Sequence, residues 1–233
     1  MKRSTEGTLT IIIPEGDIQG ERVALLDETL EGLLAESINR IALDMEKVGY
    51  VYSQGIGILL KYQKKLTSNG GGLFLFNLRQ TLRRILMEVN LLEYLNGYST
   101  KEEMEFEMGA FEPSTREISL ELGLHFEVKS HQGPRATIDL GGTIDSEKDL
   151  NQLRLQITAL IKEGVSELQA NLSELIYLDD LAVLELLGYA KQFKGLKGQL
   201  TLLYPNEIIL DQFEIMGVSD HFNMIKKKPN TAS

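Results

Sequence analysis

The stretch YVYSQGIGILLKY, residues 50–62, changes period in its middle. Tyr50 to Tyr52 continues an apolar, extended run. From Ser53 onward Ile56, Leu59 and Leu60 recur at helical spacing. A serine at such a change is a preferred helix N-cap, because its oxygen accepts a hydrogen bond from an orphan backbone N–H. Gly55 is costly in a first helical turn, and a glycine there keeps the surface beside the serine open. The junction reads in three ways: a cap alone, a nucleophile, or a place where phosphate is added and removed.

The same junction occurs twice. When the chain is slid on itself by 127 residues, Val23, Leu26, Leu30, Leu33 and Leu34 fall on Leu150, Leu153, Ile157, Leu160 and Ile161. Thr10 and Ile11 fall on Thr137 and Ile138, Tyr50 on Tyr177, Leu59 and Leu60 on Leu186 and Leu187, Tyr62 on Tyr189, and Gly71 on Gly198. Agreement over five elements in order indicates two copies of one domain. Ser53 falls on Asp180 in LDDLAVLELLGY, and aspartate caps a helix equally well.

Each copy carries the same alternation. In the first, Leu9, Ile11 and Ile13 predict a strand, residues 16–20 a turn, 21–35 an amphipathic helix and 38–45 a second strand. Residues 53–66 predict a second helix, the SNGGG run at 68–72 a loop, 73–76 a third strand and 78–89 a third helix. The second copy adds a hairpin at its start, with strands over 122–128 and 136–140 about HQGP. The fold class is α/β: two domains, each a mixed β-sheet with amphipathic helices packed on it. The expected boundaries are 1–107, a polar linker at 108–118 read from the stretch EMGAFEPSTRE at 107–117, a second domain at 119–226, and a frayed tail at 227–233.

Bulk properties narrow the function. Of 233 residues, 42% are hydrophobic and 25% charged, as in ordinary globular proteins. A net charge of −10 disfavours nucleic acid and anionic membrane surfaces as partners. The absence of cysteine excludes disulfides and thiolate metal sites. No run approaches the ~20 apolar residues of a membrane span, and the apolar run before Pro14 is too short for a signal peptide. A cytoplasmic location is the expectation.

Catalytic readings find little. Ser53 followed by Gly55, with Asp180 or Asp211 and then His221, has the residue order of an α/β-hydrolase triad. However, Val51 stands where the G-x-S-x-G elbow needs glycine. His125, His131 and His221 lack metal-ligand spacing. Gly55-x-Gly57 lacks the rest of a dinucleotide or phosphate loop. No cofactor, metal or catalytic residue is expected.

The ordered motifs resemble those of STAS domains, found in bacterial anti-sigma factor antagonists and in the cytoplasmic tails of sulfate transporters. The family's turn after the opening strand is similar to Gly16-Asp17-Ile18-Gln19 and Gly142-Thr143-Ile144-Asp145. Its "hydrophobic-x-D-S-S-G-hydrophobic-G" is similar to Val51-Tyr52-Ser53-Gln54-Gly55-Ile56-Gly57. Its "G-hydrophobic-x-x-x-F" run is similar to Gly217-Val218-Ser219-Asp220-His221-Phe222, with residues 90–95 standing for it in the first copy. The resemblance implies a non-enzymatic, partner-switching signalling protein. It implies a GHKL-type serine kinase acting as anti-sigma factor, and a PPM-type phosphatase, as partners. It makes Ser53 the phosphorylation candidate and Tyr52, Gln54, Gly55, Ile56 and Gly57 the partner-binding residues. Asp179 and Asp180 form a pseudo-site in the second copy, which cannot be switched by serine phosphorylation. A constitutive scaffold in a stress-signalling or lipid-transport assembly fits the same resemblance, and homodimerisation stays open. Arg79, Arg83 and Arg84 crowd the third helix of the first copy, either as a solvated face or as a docking site for an acidic partner.

Overall fold

A computed structural model describes residues 1–109 and 122–226. The chain divides into two compact units, Met1–Ser119 and Leu120–Ser233. Most of the expected linker and the whole expected tail lie outside the described residues.

The first unit runs β1 (Lys2–Glu6), β2 (Leu9–Ile13), α1 (Glu21–Ala35), β3 (Arg40–Asp44), α2 (Ser53–Ser68), β4 (Gly72–Phe76), α3 (Gln80–Glu88), α4 (Leu91–Tyr94) and α5 (Lys101–Gly109). The second runs β5 (Leu124–Gln132), β6 (Arg135–Ile144), α6 (Glu147–Lys162), β7 (Glu167–Leu178), α7 (Asp180–Gly195), β8 (Gln199–Leu203), α8 (Glu207–Ile215), a 3₁₀ turn (Ser219–His221) and β9 (Asn223–Ile225). The sheets are ordered β1-β2-β3-β4 and β5-β6-β7-β8-β9. In each, the opening hairpin is antiparallel and the later pairings are parallel. The bridge between Leu75 and Gly97 is the first unit's vestige of a fifth strand. The 127-residue offset carries it onto the Leu202–Met224 pair.

Three expectations are corrected. The opening hairpin belongs to both copies. In the first, β1 is exposed throughout and so carries no apolar alternation to betray it. The opening strands align with an offset of 126, not 127: Ile11 pairs with Ala42, and Thr137 pairs with Gln169. Thr137 is therefore the counterpart of Ile11, and a slip of one residue exchanges the two faces of a strand. Finally, the helix of residues 101–109 runs into the expected linker at Met108 and Gly109.

The register explains why the two sheets differ on their outer faces. In the first unit Leu9, Ile11, Ala42, Phe74 and Phe76 cluster with Tyr98 and with Met104 of α5, which covers that face. In the second, Thr137, Gln169 and Thr201 occupy the places of Ile11, Ala42 and Phe74. There Asn171 donates to Asp139 at 3.0 Å and Asn223 to Thr201 at 3.0 Å, so the face is polar and interlinked. The opposite faces carry the helices, with α2 packed on β4 and α7 on β7 and β8. In the first unit the Tyr62 hydroxyl ties α2 to α1, at 2.7 Å from Asp27 Oδ1 and 2.8 Å from Glu31 Oε2.

Candidate functional site

The site is the junction from β3 into α2. Three backbone bonds fasten it to the turn after β2: Gly16 N–H to Lys47 O at 3.0 Å, Ile18 N–H to Tyr50 O at 2.9 Å and Tyr52 N–H to Ile18 O at 3.2 Å. Asp17 Oδ1 accepts from Tyr50 N–H at 2.9 Å, and Ile18 bridges Val51 in parallel. The turn and the junction thus form one ledge at the carboxyl end of the sheet, where open α/β sheets place their sites.

Ser53 is not the cap. Helix α2 begins at Ser53, its N-cap residue is the extended Tyr52 (φ −74°, ψ 167°), and no side chain caps it. In the second unit Asp179 holds the cap position and accepts from Ala182 N–H at 2.8 Å, while Asp180 is the first helical residue. Asp180 instead accepts from Gln212 of α8. The cap therefore lies one residue earlier than the serine, on the aspartate that the first copy replaces with Tyr52. Burial pushes the Asp179 carboxyl above its ordinary value, and the charges of Asp145 and Asp180 push it further.

Ser53 is also 1% exposed. Gly55 does not open the surface over it. A Cβ at Gly55 would lie 2.8 Å from Val51 Cγ1, 2.9 Å from Ile18 Cγ2 and 3.1 Å from the Ile18 carbonyl. The glycine lets the first turn of α2 press against the ledge. Ile56 is wholly buried as well. Of the residues expected to meet a partner, Tyr52, Gln54 and Gly57 reach the surface, and Gly55 and Ile56 belong to the core. The sequence reading missed Tyr50, which is half-buried and packs edge-on against Tyr52 with ring centroids 4.8 Å apart. Two tyrosines at alternate positions before the helix were the available signal.

Ser53 does not present its side chain at the surface of this ledge. Among the described residues no group of histidines and carboxylates could hold a metal ion. No described helix is long and apolar enough to cross a membrane. His125 stands 3.9 Å from Glu127, His131 stands 3.4 Å from Glu163, and His221 lies in the 3₁₀ turn.

The sequence model of the STAS domain matches residues 1–104. No curated protein matches the chain. Among solved structures, a Thermotoga maritima protein assigned to the anti-sigma factor antagonists is 22% identical, over 46% of this chain and 92% of its own, with a TM-score of 0.43. The Bacillus anti-sigma factor antagonist SpoIIAA in its unphosphorylated form is 22% identical, over 43% of this chain and 88% of its own, with a TM-score of 0.39. A sulfate transporter family protein from Wolinella succinogenes is 16% identical, over 46% of this chain and 89% of its own, with a TM-score of 0.41. The first unit of this chain is a STAS domain, and the second unit repeats its architecture.

Proposed function

We propose that the chain is a non-enzymatic signalling protein of the cytoplasm. Its first unit docks a regulatory serine kinase of the anti-sigma-factor type through Tyr50, Tyr52, Gln54 and Gly57, and Ser53 is the residue that this kinase phosphorylates. One observation carries the reading. Helix α7 opens on two carboxylates, Asp179 and Asp180, whereas α2 has no acidic residue in its first turn and no side-chain cap. The second copy holds permanently a negative charge that the first can acquire only by modification. Phosphate on Ser53 brings about −1.5 to −2 charges to the positive end of a helix dipole.

The burial of Ser53 adds a condition. Ser53 is 1% exposed, so on this reading the kinase draws the first turn of α2 outward to reach it. The modified face then loses its shape as well as its neutrality, which releases the partner. A PPM-type phosphatase resets it. The test is incubation with ATP and the GHKL-type kinases of the native cell, followed by mass spectrometry and pull-down. Phosphate on Ser53, no phosphate on Ser53→Ala, and partner loss with Ser53→Asp are expected.

The same burial favours a second reading, a constitutive scaffold in which Ser53 only packs. Partner binding that ignores both substitutions, with no phosphate taken up, makes that reading the right one.

A further inference from the structure

The first unit carries an open cleft of about 450 Å³ between the start of β1, the turn after β2 and the first turns of α1. That volume falls in the range of small-molecule sites. Ile13, Pro14, Ile18 and Leu25 give it an apolar lining. Lys2 and Arg22 are its cations, and neither makes a side-chain hydrogen bond or an ion pair among the described residues. The carboxylate of the lining, Glu15, is already taken by Lys47 at 2.8 Å. The Arg22 guanidinium lies against Gly16, where a Cβ would come within 3.0 Å of Cζ and 3.1 Å of Nη2. A basic side chain in the first helical turn opposes the helix dipole, and α1 has no side-chain cap to offset it. Helix stability therefore does not explain Arg22.

The second unit shows what such a place accepts. Gly142 matches Gly16, both with φ 76°, and Asp149 and Gln152 of α6 match Arg22 and Leu25 of α1. There β5 reaches far enough for Leu124 to pair with Gly142. Leu124 is buried, its N–H donates to Asp149 Oδ1 at 3.0 Å, and its carbonyl accepts from Gln152 at 3.2 Å. An aliphatic group is thus seated beside the helix and held there through its polar end. In the first unit the hairpin register ends at Lys2 and Ile13, short of Gly16, and the cleft stays open. Arg22 also stands where the second unit has a carboxylate. The polar end that this cleft recognises is therefore an acceptor with negative charge, not an N–H donor.

We propose that the cleft binds an aliphatic carboxylate, a free fatty acid of medium chain length. Its carboxylate meets Arg22, with Lys2 beside it, and its chain lies along Ile13, Ile18 and Leu25. A guanidinium receives a carboxylate through two parallel hydrogen bonds, which fixes the head of the ligand. The chain covers Leu25, which is 44% exposed, and removes that apolar surface from water. The site requires neither phosphate on Ser53 nor a protein partner, so it stands or falls apart from the kinase reading.

Titration calorimetry of the full chain with sodium decanoate tests it, and amide NMR shifts locate the ligand. Saturable binding is expected, with shifts at Gly16, Ile18 and Arg22 and a dissociation constant that rises with added salt. Decyltrimethylammonium, with the same chain and the opposite charge, is expected not to bind. Arg22→Asp is expected to weaken decanoate binding roughly tenfold or more. Leu25→Gln, which disturbs no charge, is expected to weaken it too. Both positions are exposed, and thermal melts confirm that each variant is folded. Absence of saturable decanoate binding overturns the proposal. So does equal binding of the cationic amphiphile, or an Arg22→Asp variant that binds decanoate as tightly as the wild type. Binding to phosphatidylglycerol vesicles without binding to free decanoate overturns it as well, and assigns the cleft to a membrane surface.

Discussion

Gly55 shows how far a residue's meaning depends on what faces it. Replacing glycine by alanine inside a helix normally gains about 1 kcal/mol. Here the new Cβ would strike Val51 and Ile18, including the Ile18 carbonyl, and over-packing costs about 1–3 kcal/mol. Gly55→Ala is therefore expected to lower stability in urea titration, and a more stable variant would show that the ledge yields. Asp179 gives a second prediction at this scale. Asp179→Ala loses the bond from Ala182 N–H and is expected to cost about 1 kcal/mol. Asp179→Asn keeps a capping oxygen and sheds the repulsion from Asp145 and Asp180, so at neutral pH it is expected to equal or exceed the wild type. The raised carboxyl value fixes the pH dependence: the charge penalty is absent in acid and grows as pH rises through the ordinary and then the raised value. The advantage of asparagine should vanish on acidification. Ser53 as cap was the misreading in the sequence. The period change located the helix start to within a residue, but only backbone geometry separates an N-cap from the residue after it.

Helices and strands were legible where one face alone is apolar. Helix α1 is seen where Leu26, Leu30 and Leu33 place it, and α2 where Ile56 and Leu59 do. Gly71 and Gly198 coincided in the sequence comparison, and the structure supplies the cause. A Cβ at either would fall within 1.8 Å and 1.7 Å of the carbonyl oxygens of Asn39 and Ser166, where the chain enters the third strand of each sheet. Asn90 and Gly217 also coincide, both with positive φ, which asparagine tolerates better than most residues. Strand β1 and helix α5 were not legible. The first is exposed on every residue, and the second offers only Met104 and Met108 to the core. Because α5 covers an apolar sheet face, Met104→Asp is expected to cost the first unit about 3 kcal/mol or more in chemical denaturation. On the polar outer face of the second sheet, Gln169→Ala is expected to stay within about 0.5 kcal/mol.

At the scale of the molecule the two copies divide their charges differently. In the first unit Glu15, Glu31 and Glu36 are held below their ordinary values by hydrogen bonds from Lys47, Lys65 and Arg3. Burial pushes Asp27 up, but bonds from Lys61 and Tyr62 outweigh it and leave its carboxyl lowered. Each depressed carboxyl contributes stability above its ordinary value that is lost as pH falls through the depressed one, hence below about pH 4. These pairs are largely exposed, so each contributes little, but all act in one direction. In the second unit the shifted carboxyl is Asp179, and its sign is opposite. The first unit is therefore expected to lose more stability in acid than the second, as read from amide signals of Leu59 and Leu186 across an NMR pH titration. Equal losses would contradict this charge assignment. The sequence by itself determined the doubling of the chain, the alternation of strands and helices from β2 to α3 and its repeat in the second copy, and the buried faces of the long helices, because all of these rest on local periodicity. Only the tertiary structure decided the burial of Ser53, the true register of the opening strands, and the helix laid across one sheet but not the other. Those features depend on which distant segment arrives at a given surface, and spacing along the chain does not encode that.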